Sequence, residues 1–135
     1  MNLSNTFLRL AVVFSLIGVG LGYVMGSTQN FAGAPVHAHI NLLGWVSMFL
    51  YGLFYRVTPE AAVGWLPKVH LGLAVIGFLI FMPALAVEIL AHSSPWMAVA
   101  GPGLIVGPTL VLLGFILFAV IVFLHTGRGR AASAA

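Results

Sequence analysis

The sequence predicts an all-α integral membrane protein with four transmembrane helices. Of its 135 residues, 61% are hydrophobic and 5% are charged, whereas about a quarter of the residues of ordinary soluble domains are charged. The apolar residues form four runs, each close to the roughly 20 residues that a helix needs to cross a bilayer, at 7–25, 36–56, 66–90 and 99–125. A lipid bilayer is therefore the expected surroundings of the chain.

The first run, 7–25, carries glycine at every fourth position, at Gly18, Gly22 and Gly26. In a membrane, glycines with this spacing let another helix approach closely, and close packing holds helices together where no hydrophobic effect does so. We therefore expect a packed and retained transmembrane helix here rather than a cleaved signal peptide. The glycine ridge is also a candidate surface for assembly.

The second run, 36–56, is preceded by Pro35 and begins with two histidines. Proline is favoured in the first turn of a helix, where its missing N–H has no partner to lose, so the helix should begin just before His37. At about 100° per residue, His37 and His39 point about 200° apart and cannot bind one ion from one helical face. The pattern places His37 on a small and polar face with Asn41, Gly44, Met48, Tyr51 and Tyr55, and His39 on an aliphatic face with Leu43, Val46, Leu50 and Leu53.

The third run, 66–90, ends close to two polar side chains. Glu88 and His92 stand four residues apart and so share one face of a helix, on the same membrane side as the two histidines of the second run. The fourth run, 99–125, contains Pro108, which favours a kink. Together the four runs form one expected transmembrane domain over residues 1–126, followed by a polar tail over residues 127–135.

The basic residues predict the orientation of the chain. Arg9 lies at the start of the first run, Arg56 and Lys68 flank the link between the second and third, and the other two arginines follow the fourth. Basic residues mark the cytoplasmic side, so we expect a multi-pass protein of the cell's inner (cytoplasmic) membrane with both termini in the cytoplasm. His70 and His125 fall at this side and are expected at the interface. The charge of +3 thus reports topology, and we expect no nucleic-acid partner.

The absence of cysteine restricts the chemistry that the chain can support. It excludes disulfides, iron–sulfur clusters, thiolate metal sites and the covalent attachment of c-type haem. Three interpretations of His37 and His39 stay open: the residues lie in headgroup water, they bind zinc or copper together with other helices, or they bind haem. Glu88 and His92 are the candidate metal ligands that would join them.

The segment "HAHINLLGWVSMFLYGLFYRV", residues 37–57, resembles the helix of haem–copper oxidase and nitric oxide reductase catalytic subunits that carries two haem-ligating histidines in an HxH arrangement. Ser47, Met48 and Gly52 are also similar in register. The resemblance implies a high-spin haem on His37 and a low-spin haem on His39, one on each side of the helix. Without cysteine, the haem would be non-covalent haem b.

The family's catalytic subunit has twelve helices, in three arcs of four, together with three copper-binding histidines and a cross-linked tyrosine that this chain lacks. Three copies around a threefold axis would reproduce twelve helices. Each haem would then lie between His39 of one copy and His37 of the next, or be five-coordinate on one histidine. Asn41, one turn from His37, would fix the ring tautomer, and Trp45 and Tyr51 are candidates for packing against the macrocycle.

These features lead to a main functional hypothesis and two alternatives. The main one is a membrane b-type haem protein, a minimal relative of the oxidase core, for electron transfer with a redox partner or for binding or reduction of O2 or NO. If the chain is an enzyme, it would be an oxidoreductase of that type. The alternatives are a copper- or zinc-binding or transport protein that uses His37, Glu88 and His92, and a non-catalytic accessory subunit assembled through the glycine ridge.

Overall fold

A computed structural model describes residues 2–127, which are helical almost throughout and contain no strand. Within this range, four helices are long and apolar enough to cross a membrane. They are α1 (Leu3–Thr28), α2 (Ala34–Val57), α3 (Leu66–Leu90) and α4 (Met97–Thr126). The predicted all-α class and the four spans are therefore confirmed, while the tail predicted at 127–135 lies, apart from its first residue, outside the described residues.

The helix ends follow the local sequence. The side chain of Asn2 accepts a hydrogen bond from the N–H of Asn5 and so caps α1, in the way that asparagine commonly does. Pro35 lies in the first turn of α2, as predicted, and Pro67 lies in the first turn of α3. A short 3-10 turn at Pro59–Ala62 connects α2 to α3.

The middle of α2 is a π-helix. Ala34–His39 and Met48–Val57 are α-helical, but Ile40–Ser47 forms π-turns, and the Ser47 hydroxyl donates to the carbonyl of Leu42, five residues earlier, at 2.7 Å. Each π-turn holds more residues than an α-turn, so successive side chains are spaced differently around the helix axis than in a regular α-helix. Tyr51 is nonetheless buried together with Gly44, Met48 and Tyr55, with which it was predicted to share a face, and it also lines a small cavity with Leu43 and Ser47.

The four helices form two antiparallel hairpins. In the first hairpin, Gly52 of α2 lies beside Leu8 near the start of α1, and Asn41 lies beside Gly18. In the second, α3 and α4 are in close backbone contact, because a Cβ atom at Gly107 would lie 2.7 Å from Phe81 Cα. Small residues at such contacts are the usual means by which helices associate in membranes.

The two hairpins meet in an aromatic cluster at one end of the bundle, formed by Phe7 of α1, Tyr51 and Tyr55 of α2, His70 of α3 and Phe118 of α4. We call this the basic end, because it also carries Arg9, Arg56 and Lys68. Here the Ser4 hydroxyl donates to the Gly52 carbonyl at 2.8 Å, and Arg56 Nε donates to Ser4 at 3.2 Å. These polar contacts hold α1 against α2, while the aromatic cluster and the hydrogen bond between Tyr55 and His70 join the two hairpins at this end.

At the opposite end, which carries Pro35 and Trp96, the hairpins separate. A groove of about 260 Å³ opens between α1 and α3, and only apolar side chains line it, among them Phe14, Ile40 and Met82. At most 33% of each membrane-spanning window is buried within the chain. Most of the apolar helix surface is thus left for lipid or for another protein, as expected of a multi-pass membrane protein.

Candidate cofactor site at the histidines of α2

His37 is directed from α2 toward α1. Its Nδ1 atom lies 2.8 Å from the carbonyl oxygen of Gly18. Because a carbonyl oxygen only accepts hydrogen bonds, Nδ1 carries the ring proton and donates it, and the Nε2 atom holds the lone pair. The contact joins residues 19 apart in the sequence and is one of the polar contacts that hold α1 against α2.

The glycine ridge of α1 receives these side chains. A Cβ atom at Gly22 would lie 2.7 Å from His37 Cε1, 3.2 Å from Nδ1 and 3.5 Å from Nε2, and one at Gly18 would lie 2.6 Å from Asn41 Oδ1. The ring edge that carries both nitrogens of His37 therefore faces α1. The ridge was predicted to admit another backbone, but at Gly18 and Gly22 it admits polar side chains of the neighbouring helix, while Gly26 has open space.

Asn41 lies beside His37, as its position one turn later predicts. Its amide nitrogen donates to the His37 main-chain carbonyl at 2.9 Å and lies 3.3 Å from His37 Nδ1. Since Nδ1 is itself a donor, it cannot accept from the amide, whereas Nε2 can, and it lies 3.5 Å from that amide nitrogen. The Gly18 carbonyl holds the proton at Nδ1 of His37, and Asn41 lies against both the ring and its main chain, with Oδ1 buried and without a partner among the described residues.

Replacing Gly22 with alanine is expected to lower stability by about 2 kcal/mol relative to a Gly20→Ala control, because the new methyl group displaces the His37 ring and its hydrogen bond. Gly20 lies in the same helix, and a Cβ atom there meets nothing within 4 Å, so the gain in helix propensity is common to both variants. Unfolding in detergent by SDS titration measures the difference. Equal stability of the two variants would show that the His37 contact does not hold α1.

His39 is directed away from α1. Its Nδ1 atom lies 2.7 Å from the carbonyl oxygen of Pro35, one turn earlier in α2, so here too Nδ1 donates and Nε2 carries the lone pair. Its ring meets Phe81 of α3 edge to face, with the ring centroids 5.4 Å apart. Among residues 2–127, Nε2 of His39 has no hydrogen-bond partner, and it is not buried. The two histidines thus reach different neighbours, as the angle of about 200° requires.

The other residues predicted for this site lie at different distances from His39. Trp45 is 40% exposed on the surface of α2. Tyr51 is buried in the aromatic cluster, twelve residues and so roughly 18 Å along the helix from His39. The structure therefore leaves Trp45 partly exposed on α2 and places Tyr51 at the basic end.

Glu88 and His92 are in contact, with His92 Nδ1 3.2 Å from Glu88 Oε2. Both side chains are exposed, Glu88 in the last turn of α3 and His92 just beyond its end. Over residues 2–127, no three histidine, cysteine or acidic side chains come close enough to hold one metal ion. Glu88 and His92 therefore do not form one metal site with His37 and His39 among the described residues of a single chain.

His70 corrects the sequence interpretation, which placed it at the membrane interface. The residue is fully buried, its Nδ1 lies 2.9 Å from the Tyr55 hydroxyl, and its ring stacks on Phe118 with centroids 5.1 Å apart. Its Nε2 is buried without a partner among the described residues. The signal in the sequence was the small face that His70 shares with Ala74 and Gly77, since such a face packs against another helix.

No protein-family model, curated protein or solved structure matches this chain.

Proposed function

We propose that the chain is a membrane-embedded b-type haem protein in which His39 would hold the iron. The observation that carries the proposal concerns the two nitrogens of the His39 ring. Nδ1–H donates to the Pro35 carbonyl at 2.7 Å, and Nε2 is unburied and has no hydrogen-bond partner among the described residues. Histidines that ligate metals usually donate the second ring N–H to such an acceptor, which fixes ring orientation and raises ligand basicity.

The exposed surface of α2 is apolar, with Leu42 and Leu50 61% and 55% exposed, and Phe81 of α3 meets the His39 ring edge to face. His39 itself lies in the second turn of α2, close to one end of the helix. Non-covalent attachment follows from the absence of cysteine.

His37 does not fit the role of a second haem ligand in this arrangement. Both of its ring nitrogens face Gly22, and Nδ1 is bonded to Gly18. A macrocycle bound at Nε2 would have to occupy the space of α1. The geometry therefore supports one ligating histidine per chain, His39. It does not support a haem on each side of α2.

The residues at the proposed site have different roles. His39 would hold the iron, and the Pro35 carbonyl retains the proton at Nδ1 and so keeps the lone pair on Nε2. When bound, haem supplies one-electron exchange and a position for diatomic gases. Electron transfer with a redox partner, or binding of O2 or NO, is the class of function that this arrangement supports. We place the protein in the cytoplasmic membrane, with the basic end and both termini in the cytoplasm.

An optical spectrum tests the proposal. Protein purified after expression with added haem precursor is expected to show a Soret band, and His39→Ala is expected to abolish it, because the iron loses its ligand. His92→Ala is the control and should keep the band, since His92 is paired with Glu88 away from the site. Absence of the band from the parent protein overturns the proposal. Stoichiometric zinc or copper in that protein would then favour the metal-binding alternative.

A further inference from the structure

We infer that the basic end of the bundle binds the phosphate group of an anionic phospholipid, with Arg56 as its main ligand and Arg9 beside it. The inference is independent of the haem proposed at His39, near the other end of α2. It starts from the hydrogen bonds that fix the Arg56 side chain against the first turn of α1, and from the charges around that side chain.

The guanidinium of Arg56 is held in place by uncharged partners. Its Nε atom donates to Ser4 Oγ at 3.2 Å, and its Nη2 atom donates to Asn5 Oδ1 at 2.6 Å. The Ser4 hydroxyl is itself fixed, because it donates to the Gly52 carbonyl at 2.8 Å. A guanidinium has five N–H groups, and these contacts use two of them. Among residues 2–127 the other three have no acceptor, so oriented and charged donors remain at the exposed surface.

The position of Arg56 concentrates positive charge at one place. Ser4 and Asn5 belong to the first turn of α1, which contains no acidic residue. The unpaired N–H groups of such a turn give a helix N-terminus a partial positive charge. The two acidic residues of the chain form no ion pair with Arg56. A cation and a helix N-terminus therefore meet without a carboxylate between them, which favours the binding of an anion there.

The membrane supplies an anion of suitable chemistry at this depth. Arg56 lies in the last turn of α2, and the ends of membrane-spanning helices lie at the level of the lipid headgroups. Arginine binds phosphate oxygens through parallel N–H groups. Arg9 follows Asn5 by one turn and so lies on the same side of α1, where it adds a second positive charge. Charge complementarity thus favours an anionic headgroup over a zwitterionic one.

Binding of single lipid molecules tests the inference. Native mass spectrometry of the full chain in neutral detergent, titrated with phosphatidylglycerol or phosphatidylcholine, measures a dissociation constant for each lipid. We expect phosphatidylglycerol to bind about tenfold more tightly, and Arg56→Gln to remove this preference, since charge-assisted hydrogen bonds are lost. Lys68→Gln removes the same charge from the same end, but on α3, and should change the affinity by at most about twofold. Equal losses in the two variants would show diffuse attraction to surface charge and overturn the site.

Asn5→Ala gives a readout without any change in charge. It removes the acceptor that orients Arg56, so phosphatidylglycerol should bind about threefold to fivefold more weakly while phosphatidylcholine is unaffected. An unchanged affinity for phosphatidylglycerol would contradict the inference. If Arg56→Gln does not fold, Arg56→Lys keeps the charge but loses the planar set of donors, and it too should weaken phosphatidylglycerol.

Inorganic phosphate distinguishes a lipid headgroup from a free anion. Added at the same concentration as the lipid, it is expected to leave bound phosphatidylglycerol in place, because it has no acyl chains to lie against the apolar helices. Displacement of the lipid by inorganic phosphate would show that the basic end binds free phosphate, and would overturn the assignment to a phospholipid. None of these outcomes depends on haem, so a protein without a Soret band can be tested in the same way.

Discussion

Replacing His70 with alanine is expected to lower the stability of the protein by about 3–5 kcal/mol, the range for truncating a large side chain in a core. The imidazole is fully buried and contacts rings from all three other helices: Phe7, Tyr51, Tyr55 and Phe118. Its loss leaves a cavity in the cluster that joins the two hairpins. It also leaves the Tyr55 hydroxyl, 2.9 Å from Nδ1, without its partner, at a further cost of about 1–3 kcal/mol.

SDS titration in mixed micelles measures this effect, and His125→Ala is the matched control. Among residues 2–127, His125 bonds only to the carbonyl of Ile121 in its own helix, so its replacement should change stability by less than about 0.5 kcal/mol. If His70→Ala does not fold, Tyr55→Phe removes the hydrogen bond alone and should cost about 1–2 kcal/mol. Full stability of both His70→Ala and Tyr55→Phe would show that the hairpins are held together elsewhere.

Replacing Gly44 with leucine is expected to cost about 3 kcal/mol and to reduce the yield of folded protein, because overpacking of a close contact forces neighbouring helices apart. Gly44 lies in the π-helix, where α1, α2 and α3 come together. A Cβ atom there would lie 2.7 Å from Phe78 Cζ and 2.9 Å from Phe14 Cβ. The Phe78 ring can rotate, but the Cβ atom of Phe14 is fixed to the backbone of α1.

Gly20→Leu provides the comparison, since a Cβ atom at Gly20 meets nothing within 4 Å and a leucine there faces lipid. Gly20→Leu should therefore leave both yield and unfolding unchanged or slightly improved. Gly44→Ala should lie between the two, because Phe78 can accommodate one methyl group in part. The order Gly20→Leu, Gly44→Ala, Gly44→Leu in falling stability is the expected result, and a stable Gly44→Leu protein would contradict the three-helix contact.

The four spans could be predicted because composition alone decides them. So few charged side chains leave no surroundings but lipid, and the length of each apolar run then sets a helix. Pro35 marked the start of α2 correctly, since proline tolerates few other positions in a helix. The opposed directions of His37 and His39 also followed from local geometry, because both lie in the α-helical first segment of α2.

The partners of these residues could not be predicted, because they depend on tertiary packing. Glycines four residues apart can pack against either another helix backbone or polar side chains. The sequence therefore could not show that Gly18 and Gly22 lie beside Asn41 and His37. His70 is close to Lys68 in the sequence, which indicated a position at the membrane interface. The small face of α3 instead packs inward, and His70 forms a hydrogen bond with Tyr55. Regular 3.6-residue periodicity likewise could not reveal the π-turns at Ile40–Ser47.

The π-turns of α2 set the rotational phase between its two α-helical segments. His37 meets Gly18 from one segment, and Tyr55 meets His70 from the other. Because a π-turn holds more residues than an α-turn, regular α geometry over the same residues 40–47 would rotate one segment against the other, and both contacts could no longer form together. The π-turns are therefore what allows α2 to make the His37–Gly18 contact near one end and the Tyr55–His70 contact near the other.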